Sequence, residues 1–351
     1  MNENPHCIKD EPAGFARRVR SMDRRQSWVG STEFTWIWGG LLGVFVLSFA
    51  ISPGTLAYSS LSSMLAFAGV LAIAAVGQTL VIQQRGLDLS LPSTMALAAL
   101  VFAKLSDTGS PVAFALVAAL TTSVTIGVGN GLLVTRLYIT PLIATLAMDS
   151  LVLAAVWGYS KGLPVAVPDG LGDLTRSSFL NVPNVVWMAL IPVVFVAVVI
   201  SKSVVGRRFT FAGANPYAAA SAGIKVHRYV IASYVGSAVC AGLAGILLAG
   251  YTGGTTVNLG VTYLLPSIAA VVVGGTPLTG GRGSVIASAA AALFLAQLSQ
   301  LALSLGAPTS AQLLIQSACI VLAVGLRRVA WNRLLSRAHA TGDGLAVKMA
   351  D

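Results

Sequence analysis

Long apolar runs separated by short polar breaks fill most of this sequence and constrain its fold more than any other feature. A window of about 19 residues, the length used to detect membrane spans, places the runs at residues 34–51, 61–84, 88–105, 111–135, 139–160, 184–201, 229–251, 262–279, 284–305 and 309–326. A helix of about 20 apolar residues crosses the hydrocarbon core of a bilayer. The pattern therefore predicts an all-α polytopic membrane protein with about ten transmembrane helices.

The composition and the placement of charge support this prediction and indicate an orientation. Of 351 residues, 56% are hydrophobic and 10% are charged, against about 25% charged residues in a soluble domain. The net charge of +10 could indicate nucleic-acid binding, but the basic residues stand in the breaks and at both termini and form no continuous basic face. With cytoplasmic N- and C-termini, only Lys104, Lys161 and Arg176 of the 22 Lys and Arg residues fall on the outer side, as the positive-inside rule expects.

The same pattern divides the chain into segments. We expect a cytoplasmic N-terminal tail at 1–33, a transmembrane domain at 34–326 that contains a cytoplasmic loop at 202–228, and a cytoplasmic C-terminal tail at 327–351. The first tail is basic and has no apolar segment, so it is not a cleavable signal peptide. Cys7, Cys240 and Cys319 are dispersed, and their spacing predicts neither a disulfide framework nor a metal site.

Two breaks, at 85–90 and 276–284, contain glycine and are too short for ordinary loops between full spans. We interpret them as broken or re-entrant segments within the membrane. Irregular backbone at that depth is tolerated only where protein or a water-filled cavity covers it, and discontinuous helices form the substrate sites of many transporters. Both breaks are therefore candidates for a translocation pathway.

The predicted cytoplasmic loop contains the sequence Gly213-Ala-Asn-Pro-Tyr-Ala-Ala-Ala-Ser-Ala-Gly223-Ile224. Asn215 can cap the first free amides of a helix, and Pro216 suits the first helical position. Gly223 can adopt the left-handed conformation that ends a helix. These residues predict one short capped helix, which is either a rigid element that docks in another protein or an ordinary surface turn of helix.

This loop segment also resembles the coupling helix of the ribose-type permeases of ABC importers, and four other parts of the chain resemble the same family in the same order. The matching segments are Val76–Ile82 followed by Gly86-Leu-Asp-Leu-Ser90, then Thr140-Pro-Leu-Ile-Ala-Thr-Leu146, Gly162-Leu-Pro164, and Gly242-Leu-Ala-Gly245 with the block from Ile268 to Ser284. The resemblance spans residues 60–327. Five matches in order make the family assignment much stronger than any one of them would.

The resemblance implies a permease subunit of a sugar importer, multi-pass in the bacterial cytoplasmic (inner) membrane. Its expected partners are a second permease, either a copy or a paralogue, a periplasmic or extracellular substrate-binding protein, membrane lipid, and separate nucleotide-binding ATPase subunits. The chain contains no Gly-x-x-x-x-Gly-Lys-[Ser/Thr] motif. ATP and Mg²⁺ are therefore expected on the partner subunits, with no cofactor and no catalytic residue on this chain.

The resemblance also assigns a coupling surface. Contact with the ATPase subunit is expected at Arg207, Arg208, Asn215, Pro216, Tyr217, Ala218, Ala219 and Gly223. Tyr217 stands where the family usually has an acidic residue, so the predicted contact uses the helix shape, the aromatic ring or the two arginines. Pro92 replaces a glycine that usually follows the Asp-Leu-Ser signature.

Polar and glycine residues of the broken segments are the candidates for the translocation pathway. They are Gln78, Thr79, Asp88, Ser90, Ser93, Thr145, Gly275 and Thr276. An ionisable group inside a membrane is costly and usually functional, so Asp88 could bind a sugar hydroxyl, pair with Arg85 or fix the helix break. Hydroxyl groups in membrane helices more often form interhelical hydrogen bonds than bind a solute. Asp149 is a second carboxylate within the predicted spans, and for it we favour a buried hydrogen bond between helices.

Gly280, Gly281, Arg282 and Gly283 form a predicted structural glycine turn. Arg282 either anchors this turn near the ATPase subunit or follows the positive-inside rule.

Other function classes explain less of the sequence. An enzyme is not indicated, because His6, His227 and His339 lie in tails or loops and neither His-Glu-x-x-His nor Gly-x-Ser-x-Gly occurs. An ion-coupled secondary transporter would leave the 213–224 segment unexplained, and a membrane scaffold would leave the polar, broken spans unexplained. Branched-chain amino acid permeases are distant relatives of similar layout, and within the importer class a sugar is expected ahead of nucleosides and amino acids.

Overall fold

Helices make up nearly all of the regular structure in the computed structural model, which describes residues 36–308, 310–318, 321 and 325. The first half contains α1 (Trp36–Ile51), α2 (Tyr58–Gln83), α3 (Leu91–Asp107), α4 (Val112–Thr135) and α5 (Pro141–Ser160). The second half contains α6 (Asp169–Arg176), α7 (Asn184–Lys202), α8 (Val204–Ala214), α9 (Pro216–Ser221), α10 (Val226–Thr252), α11 (Leu264–Val273) and α12 (Val285–Ser304). Residues 310–318 are also helical. The predicted tails, 1–33 and 327–351, lie outside the described residues.

Six of these helices, α2, α4, α5, α7, α10 and α12, are long and apolar enough to cross a membrane. Every predicted apolar run contains a helix in the predicted order, although α1 has 16 residues, α3 has 17 and α11 has 10. The chain is therefore an all-α polytopic membrane protein. The helix backbone is interrupted at 84–90 and again at 274–284, where the two short breaks were predicted.

Helices α2 and α10 form the centre of the bundle, and α4, α3 and α12 pack around them. Small residues on α4 allow a close approach to α10: a Cβ added at Gly127 would lie 2.6 Å from the Cα of Val235, and one added at Gly131 would lie 2.8 Å from the Cα of Ile231. Glycines four residues apart lie on one face of a helix and let the backbones of membrane helices meet. The position of α4 against α10 therefore requires glycine, which has no side chain, at residues 127 and 131.

The two ends of the bundle are built differently. At one end, α8 and α9 stand between α7 and α10; we call this the α8–α9 end. At the other end, β1 (Val165–Ala166) pairs antiparallel with β4 (Gly254–Thr255), and β2 (Ser178–Phe179) pairs with β3 (Val182–Pro183); we call this the β1–β4 end. Because α10 has 27 residues and a helix rises about 1.5 Å per residue, the two ends lie roughly 40 Å apart.

Local sequence explains where the key helices begin. The Ser203 hydroxyl accepts a hydrogen bond from the Gly206 amide at the start of α8, and the Ser284 hydroxyl does the same for Ala287 at the start of α12. Such caps satisfy amides that have no partner within the helix. Pro92 lies in the first turn of α3, where a proline removes no helical hydrogen bond.

Candidate functional site

The break between α2 and α3 is organised around the buried carboxylate of Asp88, which is 1% exposed. One carboxylate oxygen accepts hydrogen bonds from the Ser90 amide at 3.0 Å and from the Ser90 hydroxyl at 2.6 Å. The other accepts a hydrogen bond from the Ser237 hydroxyl of α10 at 2.7 Å. A buried carboxylate is costly unless it is hydrogen-bonded, and these three donors, with no ion pair to any described residue, satisfy it.

Two amide side chains extend this arrangement to further helices. Gln78 of α2 donates to the Asp88 carbonyl at 2.5 Å, and Asn130 of α4 donates to the Ser90 hydroxyl at 2.8 Å. We call the set Gln78, Asp88, Ser90, Asn130 and Ser237 the Asp88 network. It connects α2, the break, α4 and α10, so it fixes the position of the break relative to three helices.

Arg85 does not point to this carboxylate. Its guanidinium donates instead to the Gly213 carbonyl at 2.9 Å and to the Ala214 carbonyl at 2.6 Å. These two carbonyls lie at the C-terminal end of α8, where a helix leaves its last carbonyls without partners. Arg85 also has a φ of 65°, the left-handed conformation that turns the chain sharply after α2. One side chain therefore joins the end of α2 to the residues that immediately precede α9.

The predicted glycine turn packs against the same place. The Gly281 amide donates to the Gln83 carbonyl at 2.9 Å, and Gly280 and Gly281 both have φ of 80°. A Cβ on Gly213 would lie 2.1 Å from that Gln83 carbonyl oxygen, and a Cβ on Gly280 would lie 2.4 Å from Cγ of Arg85.

We call this meeting of residues 83–85, 213–214 and 280–281 the Arg85 junction. Gly283 contributes a further close approach to Gln83, while Arg282 is exposed beside the junction.

The predicted coupling helix is α9, and its ends match the expected caps. The Asn215 side chain accepts a hydrogen bond from the Ala218 amide at 3.1 Å, Pro216 is the first helical residue, and Gly223 has a φ of 77°. Tyr217 is 86% exposed, and Ala218 is exposed as well, with Arg207 and Arg208 on the preceding helix. Ala219, in contrast, is fully buried, so it packs inside this chain and presents no surface to a partner.

The remaining predicted pathway residues lie inside the bundle. Thr79 donates to the Ser288 hydroxyl of α12 at 2.9 Å, Ser93 donates to the Ser90 carbonyl, and Thr145 of α5 donates to the Leu87 carbonyl at 3.3 Å. Gly275 and Thr276 are also buried, and Gly275 has a φ of 95°. In this conformation these residues hold helices and breaks together, and their predicted role in the pathway stays a prediction.

Sequence reasoning missed Asn130 and Ser237. Each is a polar residue in a long apolar helix and is fully buried, a signal that could have singled them out as partners for Asp88. Gln84 was also missed; its amide donates to the Phe209 carbonyl of α8 at 2.7 Å and reinforces the Arg85 junction. Asp149 is half-buried on α5, and one of its carboxylate oxygens has no hydrogen-bond partner among the described residues.

A multi-pass helical bundle with a buried polar helix break, joined to an exposed capped helix at one end, is consistent with a transport permease. The chain belongs to the family described as branched-chain amino acid transport system / permease component, which matches residues 60–324.

Individual relatives agree with this family. The chain is 31% identical over 299 residues to the ribose import permease protein RbsC of Bacillus subtilis (strain 168), covering 83% of this chain and 92% of that protein. It is 32% identical over 291 residues to RbsC of Escherichia coli (strain K12), covering 81% and 90%. It is 29% identical over 267 residues to the autoinducer 2 import system permease protein LsrC of Salmonella typhimurium, covering 76% and 77%. No solved structure matches the chain significantly.

These findings confirm the resemblance to the ribose-type permeases of ABC importers. The chain is a transport permease subunit and a multi-pass protein of the inner membrane. The ion-coupled secondary transporter is not favoured.

Proposed function

We propose that this chain forms, with a second permease, the membrane pathway through which an ABC importer moves a sugar into the cell. The observation that carries the proposal is the Arg85 junction, because it links an exposed helix suited to docking to the buried break in the membrane. A sugar is the favoured substrate because the relatives described above are named for ribose and autoinducer 2 import. A branched-chain amino acid is the second candidate, since the family description names it.

In the proposed mechanism, ATP binding draws two separate nucleotide-binding subunits together, and α9 moves with them. Arg85 holds the Gly213 and Ala214 carbonyls immediately before α9, and Asp88 follows only three residues later. A displacement of α9 therefore reaches the Asp88 network through a short, hydrogen-bonded stretch of backbone. ATP and Mg²⁺ bind to the partner subunits in this proposal, and this chain supplies only the mechanical link.

The charge beside α9 suggests the chemistry of the docking partner. A groove of about 620 Å³ next to α9 is lined by Arg208, Lys225 and Arg228 together with aromatic and apolar residues, among them Phe209 and Tyr229. Opposite charges across an interface guide association and fix its register. We therefore propose that the ATPase subunit presents acidic residues here, a reversal of the usual arrangement in which the permease segment carries the acidic residue at the position of Tyr217.

We also propose ten membrane spans with both termini in the cytoplasm. The six long apolar helices and the shorter helices in the other apolar runs support this number, and the segregation of basic residues supports the orientation. A periplasmic or extracellular binding protein would then deliver the sugar at the β1–β4 end.

The coupling role can be tested with paired substitutions in the complete importer, purified through this chain and reconstituted in liposomes. Ala218→Trp places a bulky ring on the exposed face of α9, so we expect ATP-driven D-ribose uptake to fall at least tenfold and less ATPase subunit to co-purify. Ala113→Trp, at an exposed position in the first turn of α4, is the matched control and should retain uptake. Ala219 is unsuitable because a larger side chain there would disturb the packing of this chain.

Two results would contradict the proposal. Unchanged uptake and unchanged co-purification in Ala218→Trp would show that α9 is not the docking element. Uptake of L-leucine but not of D-ribose by the unmodified importer would favour the second candidate substrate.

A further inference from the structure

A cavity of about 820 Å³ lies at the β1–β4 end and has no role in the coupling mechanism. Leu248 and Thr252 at the C-terminal end of α10 line it, with the β1 and β4 strands, so it is roughly a helix length away from α9. Its volume falls within the range of about 300–1,000 Å³ that is typical of small-molecule sites. We call it the large cavity.

The lining of the large cavity combines aromatic rings with neutral hydrogen-bonding groups. Phe67 and Tyr263 contribute the rings, and Thr252, Thr256, Asn258 and Thr262 contribute hydroxyl and amide groups. These four polar residues are exposed, and the side chains of Thr256, Asn258 and Thr262 form no hydrogen bond with any residue that the structure describes. Their donors and acceptors are available to a bound molecule.

The backbone around these residues is irregular, with a two-residue strand at Gly254–Thr255 and a short 3-10 helix at Val261–Tyr263. Exposed polar side chains on irregular backbone cannot face lipid, because hydrocarbon leaves their hydrogen-bonding groups unsatisfied. The large cavity is therefore open to water. This is the environment in which a polar solute first meets the membrane domain.

A second cavity adjoins the first. It measures about 230 Å³ and shares Phe67, Thr262 and Tyr263 with the large cavity, while Gln300, Gln312 and Gln316 line its other side. The three shared residues form the partition between the two cavities. A solute that leaves the large cavity would meet amide groups directly beyond this partition.

The absence of charge from the lining restricts the class of solute. Among the described residues that line the two cavities, none is Asp, Glu, Lys, Arg or His; Arg176 lies near Gly253 but does not line either one. The ammonium and carboxylate groups of an amino acid would find no oppositely charged partner among these residues. A neutral molecule with many hydroxyl groups needs only hydrogen bonds and apolar contact with aromatic rings.

We propose that the large cavity is the outer substrate-binding site of the pathway, that it accepts an uncharged polyhydroxylated solute of monosaccharide size, and that Phe67, Thr262 and Tyr263 control passage to the second cavity. This inference rests on the proposed importer function and identifies the part of the chain that the sugar contacts first. It also explains how the chain discriminates a sugar from an amino acid without a charged residue.

The first test removes hydrogen-bonding groups without adding bulk. Asn258→Ala and Thr262→Val each delete one neutral partner, so the ratio of D-ribose uptake to ATP hydrolysis in the reconstituted importer should fall about fivefold for each. The matched control is Thr121→Val, an exposed threonine of α4 whose hydroxyl bonds only to its own helix at Val117. This control should retain the wild-type ratio.

The second test probes access from outside. The starting variant has Cys7 and Cys319 replaced by serine, and its remaining cysteine, Cys240, is buried. Thr256→Cys in this background therefore supplies the reactive thiol. A membrane-impermeant maleimide added outside should modify it and reduce D-ribose uptake at least tenfold.

The outcomes separate this inference from the proposed function. If the importer carries D-ribose but neither Asn258→Ala, nor Thr262→Val, nor maleimide treatment of Thr256→Cys changes its uptake, the cavity assignment is wrong and the importer function stands. If the importer carries L-leucine and not D-ribose, both the proposed substrate and the neutral-solute inference are wrong.

Discussion

The α8–α9 end and the β1–β4 end of this protein differ in where their polar side chains lie, buried between helices at the first end and exposed beside a cavity at the second. At the α8–α9 end, hydrogen bonds hold the Arg85 junction and the Asp88 network, and glycines bring backbones into contact; the side-chain amide of Gln83 and Oδ1 of Asn130 are buried there without a partner among the described residues. At the β1–β4 end, Thr256, Asn258 and Thr262 stand exposed beside a cavity of about 820 Å³. Under the proposed mechanism, the end that receives force is built from packed backbones, and the end that receives solute offers unoccupied hydrogen-bonding groups.

The largest effect should come from closing the space at the Arg85 junction. In Gly213→Ala, the new Cβ would meet the Gln83 carbonyl oxygen at 2.1 Å, and neither backbone can move without displacing α2 or α8. We expect a loss of about 3 kcal/mol in the free energy of unfolding, measured by thermal denaturation of the purified protein in detergent. Gly158→Ala is the control, because its Cβ would meet no atom within 4 Å. Equal stability of the two variants would show that the backbones at the Arg85 junction can move apart to accommodate a Cβ at residue 213.

A smaller effect is expected from the Asp88 network. Asp88→Ala leaves the Ser90 amide and the Ser90 and Ser237 hydroxyls without their acceptor, at a cost of about 2 kcal/mol, and Asp88→Asn should lose less because its carbonyl oxygen still accepts. Thermal denaturation should show no comparable loss for Asp149→Ala, whose carboxylate is only half-buried, or for Asn258→Ala at the β1–β4 end. If Asp149→Ala or Asn258→Ala is as destabilising as Asp88→Ala, the contrast between the two ends does not hold.

The smallest effect on stability, about 1 kcal/mol, is expected for Arg85→Gln, because glutamine replaces two charge-assisted hydrogen bonds with at most one neutral bond of this kind. Its effect on transport should be larger: D-ribose uptake should fall about tenfold while ATP hydrolysis continues, since α9 is no longer tied to the break. Arg136→Gln, at an exposed position directly after α4, should change neither quantity. If Arg85→Gln keeps the wild-type ratio of D-ribose uptake to ATP hydrolysis, the motion of α9 reaches the break by a route other than Arg85.

Several features of the fold could be predicted because they depend on local sequence. Apolar length placed the helices, and the two glycine-containing breaks at 85–90 and 276–284 lie where α2 and α11 end. The caps of α9 followed from Asn215, Pro216 and Gly223, since each acts on backbone within a few residues of itself. The family resemblance followed from short motifs of the same local kind, and the family comparison confirmed it.

The partners of charged and polar residues could not be predicted in this way, because they lie far away in the chain. Sequence proximity suggested Arg85 as a partner of Asp88, yet Arg85 binds carbonyls 128 and 129 residues away. Asp88 finds Ser237, which is 149 residues away. Ala219 belongs to the same short helix as the exposed Ala218, and only packing against the rest of the chain decides which of the two is buried.

The sequence by itself determined that this chain is a helical membrane protein with two broken spans and one capped helix, because hydrophobicity, glycine, proline and capping residues act over a turn or two of backbone. The tertiary structure decided that Arg85 joins the capped helix to one break, that Asp88 is satisfied by hydroxyl groups, and that a neutral cavity opens at the opposite end. The physical reason is that hydrogen bonds and cavities form between segments far apart in the chain, and their geometry exists only after the helices have packed.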